Sequence, residues 1–499
     1  MKQVLKALRT PKWLFGLLCF VLVLRIPSFF EPYSYGDEMI YLSLGEAIRR
    51  GIPLYSQIHD NKPPLLYIMA AVAGGLFWFK VILAIWHLAT VFIFWKLSEL
   101  LFPKNKRLHI VSTVIFALLT TLPLLEGNIA NAEIFMIGPT MLAFYVLLSK
   151  KLNFKNIFLS GLLFSVATLY KVPAAFDLPV IIFLWIITLK KANINNLKKI
   201  AYNTLYLAMG FLAPILLTFA WYFARGAAFE YLVAAYLQNV GYLSSWRPDD
   251  VQRSFFEKNM PLLIRAAVVF VGHVFLYLKR KKLSKQFIFI TSWLLLSLFA
   301  VTLSERPYPH YLLQSIPAVS LLLGMFFSLK NFEQVLVIIP LTLFAFVPYY
   351  FNFWRYSTIP YYSNFVNFAT GKLNKEAYLA TYGSHVPRNY QIADFIVSST
   401  KKSEKVFVWG DGSAIYALSK RLPPGKYVAN YHIRDFSTPE ETITSLNQDM
   451  PSYIIVLPDT DYFAELNSFI DTNYVFIKTI EKAEIWKLLN PKVRTLIAR

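Results

Sequence analysis

The chain is 499 residues long, 56% hydrophobic and 17% aromatic, with a formal charge of +21. Apolar content on that scale over that length excludes a single soluble core and makes a polytopic membrane protein the expected class. The charge does not point to nucleic acid: up to residue 352 there are 33 Lys and Arg against 15 Asp and Glu, and the surplus lies in short loops at 104–107, 150–155, 190–199 and 279–285. That is the positive-inside pattern of cytoplasmic loops.

In chain order, the apolar run 13–30 follows Lys2, Lys6, Arg9 and Lys12. It is longer than a signal-peptide core and has no Ala-x-Ala site after it, so it reads as a retained span. The single cysteine, Cys19, lies inside it, which excludes an internal disulfide and a cysteine-ligated metal. Tyr35-Gly36-Asp37-Glu38 comes at the exit of this span. Adjacent carboxylates there are costly unless solvated or used, since a charge drawn into the bilayer core costs about 2.5–3.5 kcal/mol. Ile40, Leu44, Ala47 and Ile48 recur at helical spacing and predict a short surface helix over 38–50, with Glu46 placed to pair with Arg49 and Arg50. His59-Asp60-Asn61-Lys62-Pro63-Pro64 closes the loop.

The segment 63–79 decides topology. It has a Gly74-Gly75 pair and stands at the short limit for a span, so it is expected to be re-entrant or interfacial. Spans are then expected near 13–30, 80–102, 108–125, 133–149, 156–170, 172–189, 200–222, 261–279, 286–303, 310–329 and 333–352. These eleven put the N-terminus in the cytoplasm and residues 353–499 outside the cell membrane. The outer face would collect loop 31–63, loop 126–132, the turn Lys171-Val172-Pro173, loop 223–260 and 304–310. Asp177, within the sixth span, is expected to hydrogen-bond inside the bundle.

The tail alternates helix and strand. Helices are expected at 389–400, after Thr438-Pro439-Glu440-Glu441, and at 461–472; strands at 405–409 and 453–457; and a hairpin over 474–480 and 483–489. The expected architecture is thus an all-α polytopic domain over 1–352 and a small extracytoplasmic α/β domain over 353–499. Gly410-x-Gly412 lacks a third glycine and reads as a strand-to-helix turn, not a dinucleotide site.

The outer face of a cell membrane offers no nucleotide-activated sugar, so a transferase there needs a donor carried by the membrane. A sugar on a polyprenyl phosphate meets that need. Transfer to a hydroxyl requires a carboxylate to accept its proton and cations to stabilise the departing phosphate. Asp37, Glu38, Asp60 and Glu133 supply carboxylates; the basic residues Lys62, Lys171 and Arg306, with His310, supply cations.

Asp37-Glu38, Lys62-Pro63-Pro64-Leu65, Tyr170-Lys171-Val172-Pro173 and Arg306-x-x-Pro309-His310-Tyr311 together resemble the GT-C membrane glycosyltransferases. The nearest branch contains the protein O-mannosyltransferases and the aminoarabinose lipid A transferases (glycosyltransferase family 39). The resemblance covers most of residues 1–330. It implies Asp37 as catalytic base, Lys62 at the donor phosphate, Glu133 as second acid, Lys171 as the basic residue of the outer turn, and Arg306, His310 and Tyr311 at the carrier lipid. It also implies that His59 and Asp60, with Asp37, are the residues to examine for a divalent ion. Two departures stand out: Met39-Ile40-Tyr41 replaces the arginine that the lipid A branch carries after Asp-Glu, and Asn131-Ala132-Glu133-Ile134 replaces an Asp-Pro. The expected partners are a polyprenyl-phosphate-linked sugar, membrane lipid and a glycan, lipid or protein acceptor. A flippase of lipid-linked glycans and a glycan polymerase or ligase are the alternatives; a transporter would place its ionisable groups at the bilayer midplane.

Overall fold

The structure, a computed structural model, describes residues 10–189, 193–241, 254–458 and 460–490. Parts of the expected 190–199 and 223–260 loops therefore lie outside the described residues. Each of the eleven apolar segments contains helix. Among the described residues, six helical segments are long and apolar enough to cross a membrane: Lys12–Phe30, Leu76–Leu101, Ala132–Ser149, Ile194–Phe223, Asn259–Lys279 and Phe332–Tyr350. The others, such as Phe154–Tyr170 and Lys285–Val301, are apolar but shorter. Large side chains such as Leu217, Phe223, Phe270 and Tyr349 are exposed on these helices, as expected where lipid replaces water.

The 63–79 segment divides differently from expectation. Helix Leu65–Ala73 has nine residues, about 13 Å at 1.5 Å per residue, against a hydrocarbon core of about 30 Å. Gly74, at φ 65°, ends it in the left-handed conformation that glycine adopts without a Cβ penalty. Leu76–Phe79 then already belong to the next helix, Leu76–Leu101, which starts earlier than the expected 80. Helix Gly36–Arg49 lies against Leu65–Ala73, and at Gly45 a Cβ would stand 2.7 Å from the backbone nitrogen of Ala71. Helices Phe154–Tyr170 and Ile194–Phe223 pack still more closely at Gly161 and Gly210, the small-residue contact that lets membrane helices approach.

The C-terminal region holds a four-stranded sheet, β1 (Val406–Trp409), β2 (Tyr453–Val456), β3 (Tyr474–Ile480) and β4 (Ala483–Leu488), in the order β1-β2-β4-β3. β1 pairs parallel with β2 from Val406↔Tyr453 to Trp409↔Val456, while β2–β4 and β3–β4 are antiparallel. Strand alternation sends Val406, Val408, Tyr453 and Ile455 to one core and Phe407, Trp409 and Ile454 to another. The first core is continuous with that of the helical bundle, through Ile392 and Ile396 of helix His385–Ser399. Thr438 caps helix Pro439–Gln448 by accepting from the Glu441 amide, as expected from its sequence. Gly410 and Gly412 lie in the turn between β1 and helix Ser413–Ser419.

This region sits on the segment 31–74. The amide of Tyr33 donates to Tyr390 Oη (3.1 Å), that of His59 to the Lys426 carbonyl (2.8 Å), and Lys420 Nζ to the Gly74 carbonyl (3.3 Å). Arg50 donates to the carbonyls of Lys402 and Lys420, and its Nε to Glu46 Oε1 at 2.9 Å.

Candidate active site

Asp37 stands in the first turn of helix Gly36–Arg49, a position whose exposed amides and dipole favour a carboxylate. One turn on, buried Tyr41 donates its hydroxyl to Asp37 Oδ2 at 2.9 Å. The Lys62 ammonium lies 5.1 Å above the Tyr41 ring and 3.6 Å from Asp60 Oδ2. Pro63 and Pro64 lead from Lys62 into helix Leu65–Ala73, and the Lys62 amide donates to Tyr67 Oη at 3.1 Å.

Opposite, Glu133 occupies the first turn of helix Ala132–Ser149 and is paired with Lys171. The Lys171 ammonium also lies 3.7 Å over the Tyr311 ring. Burial presses the Lys171 pKa below the ordinary lysine value, against the raising pull of Glu133. His310 stands between two acids: its Nδ1 is bonded to Glu126 and its Nε2 is 3.8 Å from Glu133. Tyr35 Oη donates to the same Glu126 oxygen at 3.0 Å.

These groups border one cavity of about 700 Å³. Asp37, Lys62, Glu133, Lys171, Arg306, His310 and Tyr311 all line it, so seven of the ten residues singled out in the sequence are brought together from four separate segments. The 223–260 segment adds Tyr236 and Asn239, and Asn239 Nδ2 donates to the Asn61 carbonyl at 3.1 Å. Phe176, Leu262 and Phe299 form apolar wall.

The remaining three stand elsewhere. Glu38 points away from the cavity into a buried ion cluster: Lys80 Nζ is 2.7 Å from both Glu38 Oε1 and Glu31 Oε2, and the Ala130 amide donates to Glu38 Oε1 at 2.7 Å. Adjacent helical residues project about 100° apart, so Asp37 and Glu38 cannot both face one site. Glu38 is therefore an anchor of the helix that carries Asp37. Burial raises the Glu38 pKa and Lys80 opposes the rise. His59 is turned onto the rings of Tyr427 and Phe436, each with a centroid 5.4 Å away, and burial depresses its pKa to about 4. Asp60 is 1% exposed; burial works against its charge, but Lys62 and His432 hold its carboxyl below the usual range. Among the described residues no group of three or more His, Cys, Asp or Glu is arranged to hold a metal ion, so the Asp37, His59 and Asp60 set does not form such a site here. Asp177 stays in the bundle, accepting from Gln314 Nε2 at 3.3 Å.

Several site residues carry no signal in the sequence that singles them out. Glu126 and Tyr35 act through contacts made 91 residues apart. Tyr431, His432, Asp435 and Phe436, from the seven-residue helix Asn430–Phe436, also line the cavity. That helix is two turns long, too short to show a periodic face, and only the docking of the C-terminal region brings it here.

Residues 388–488 match the family described as "Putative competence-induced protein Ccs4 C-terminal domain". No curated protein matches the chain. Among solved structures it is similar to ArnT from Cupriavidus metallidurans bound to undecaprenyl phosphate, at 12% identity and a TM-score of 0.57, over 97% of this chain and 99% of that one. The apo state of the same protein aligns over 95% and 97%, with 12% identity and a TM-score of 0.50. The Archaeoglobus fulgidus oligosaccharyltransferase tethered with an acceptor peptide aligns over 96% of this chain and 74% of that one, with 12% identity and a TM-score of 0.45. The ArnT likeness, end to end in both chains, shows the fold: a multi-pass membrane protein of the GT-C type.

Proposed function

We propose that this protein is an integral-membrane glycosyltransferase that moves a sugar, with inversion, from a polyprenyl-phosphate carrier to an acceptor hydroxyl at the outer face of the cytoplasmic membrane. The observation that carries this reading is one cavity lined together by Asp37, Lys62, Lys171 and Arg306 and by the apolar side chains of Phe176, Leu262 and Phe299. A structure of similar fold is bound to undecaprenyl phosphate, which supports the same class of carrier here.

In this reaction the acceptor oxygen attacks the anomeric carbon as the bond from that carbon to the phosphate oxygen breaks. The electron pair leaves with the phosphate, and the acceptor's proton passes to Asp37. Tyr41 orients the Asp37 carboxylate by occupying one oxygen, leaving the other for the acceptor. The negative charge that grows on the phosphate favours Lys62 and Arg306 more in the transition state than in the ground state. Lys171, already paired with Glu133, contributes through the field of the pair. The N-terminus would lie in the cytoplasm, with residues 1–352 forming the transferase domain and 353–499 an extracytoplasmic domain.

The test uses protein in nanodiscs, undecaprenyl-phosphate-linked sugars and an envelope extract as acceptor, with release of undecaprenyl phosphate as readout. Asp37→Asn keeps size and polarity but cannot take the proton, so turnover should fall about 10²–10⁴-fold. Near-normal turnover in Asp37→Asn would move the base to Glu133. Failure of the wild type to bind undecaprenyl phosphate would sink the reading as a whole.

A further inference from the structure

Lysine carries its charge on a flexible four-carbon stem, so a catalytic ammonium must be held by something else. Here Asp60 Oδ2 stands 3.6 Å from Lys62 Nζ, and its other oxygen, Oδ1, stands 3.5 Å from His432 Nε2. Asp60 is 1% exposed and His432 3% exposed. A carboxylate so deeply buried needs compensation on both oxygens. Oδ1 also accepts from the Asn61 amide at 2.7 Å. The other ring nitrogen of His432, Nδ1, has no hydrogen-bond partner among the described residues, so the polar contact of this ring is directed at Asp60. The surroundings hold the link together: the His59 amide donates to the Lys426 carbonyl at 2.8 Å, and the His59 ring packs on Tyr427 and Phe436.

We infer that His432 is a positioning residue for the transfer reaction. It fixes Asp60, Asp60 holds the Lys62 ammonium at the cavity wall, and the C-terminal region thereby completes the donor-phosphate site as well as roofing it. The role assigned to Lys62 rests on the glycosyltransferase reading; the link from His432 to the 59–62 segment does not.

Two measurements separate these. Hydrogen–deuterium exchange on ligand-free protein needs no substrate. His432→Ala should speed exchange of the amides at His59, Asp60, Asn61 and Lys62, and His432→Gln, whose side-chain amide can still donate to Asp60, should restore much of the protection. Unchanged exchange in His432→Ala overturns the inference. The second measurement is affinity for undecaprenyl phosphate in a double-mutant cycle. Lys62→Ala and His432→Ala should each weaken binding by about tenfold, and the double variant should be no worse than Lys62→Ala alone. Additive losses would mean His432 acts independently of Lys62 and would overturn the positioning role. If His432→Ala does not fold, His432→Phe, which keeps the bulk of the ring but has no donor for Asp60, takes its place in both measurements. A wild type that binds no undecaprenyl phosphate overturns the glycosyltransferase reading, and exchange alone then decides whether His432 holds the segment.

Discussion

At the scale of single residues, the cavity end of this protein divides its ionisable groups between two tasks. Asp37, Lys62 and Arg306 border the cavity, while Glu31, Glu38 and Lys80 are buried in an ion cluster beside it. The acid pair was visible in the sequence, but which member faces the cavity was not, because a one-residue step turns a helical side chain by about 100°. His59 gives a pH prediction. Burial lowers its pKa from 6.5 to about 4, outweighing the raising effect of Asp60. Between those values the unfolded chain binds a proton that the native state refuses, so stability rises with pH across the window and is lost as pH falls. The loss from this group approaches about 3 kcal/mol near pH 4. In thermal unfolding between pH 7 and pH 4.5, His59→Gln should therefore lose less Tm than the wild type. Parallel curves would show that His59 does not titrate out of register with the unfolded chain.

At the scale of elements, most helices and strands were legible because each signal is local. The proline pair before Leu65, the glycine pair at 74–75 and the Thr438 cap all act within a few residues. The exceptions include Thr358–Ala369, of twelve residues, and helix Ala228–Leu232 inside the expected 223–260 loop; others are short. Asn430–Phe436 and Ser413–Ser419 have seven residues each, and their stability comes from what they dock against. Helices Phe154–Tyr170 and Ile194–Phe223 show the opposite extreme, a contact set by two glycines. A Cβ at Gly161 would meet the Leu207 carbonyl, and one at Gly210 the Phe158 carbonyl. Backbone cannot yield as a side-chain tip can, so Gly210→Ala should force the helices apart and cost about 1–3 kcal/mol, the usual range for overpacking. Detergent-solubilised protein should unfold at lower temperature, while Gly16→Ala, where nothing lies within 4 Å of the added Cβ, should not. Equal behaviour of the two variants would remove the close-packing argument.

At the scale of the whole molecule, orientation is what the proposed chemistry depends on. With Cys19→Ala as background, single cysteines at Lys281 and Asp461 report the two sides through a membrane-impermeant thiol reagent. Labelling of Asp461→Cys, and not of Lys281→Cys, in intact cells is the expected result; the reverse would put the cavity in the cytoplasm and remove the need for a lipid-borne donor. The sequence by itself determined the membrane class, most helix positions, the α/β tail and seven cavity residues, because apolar run length, charge bias and turn chemistry are properties of neighbouring residues. Tertiary structure alone decided the rest. It turned Glu38 onto Lys80, put His59 among aromatic rings, joined Glu126 to His310 across 184 residues, and brought His432 to Asp60. Those pairings depend on how distant elements pack, and no periodicity along the chain encodes which buried charge will meet which.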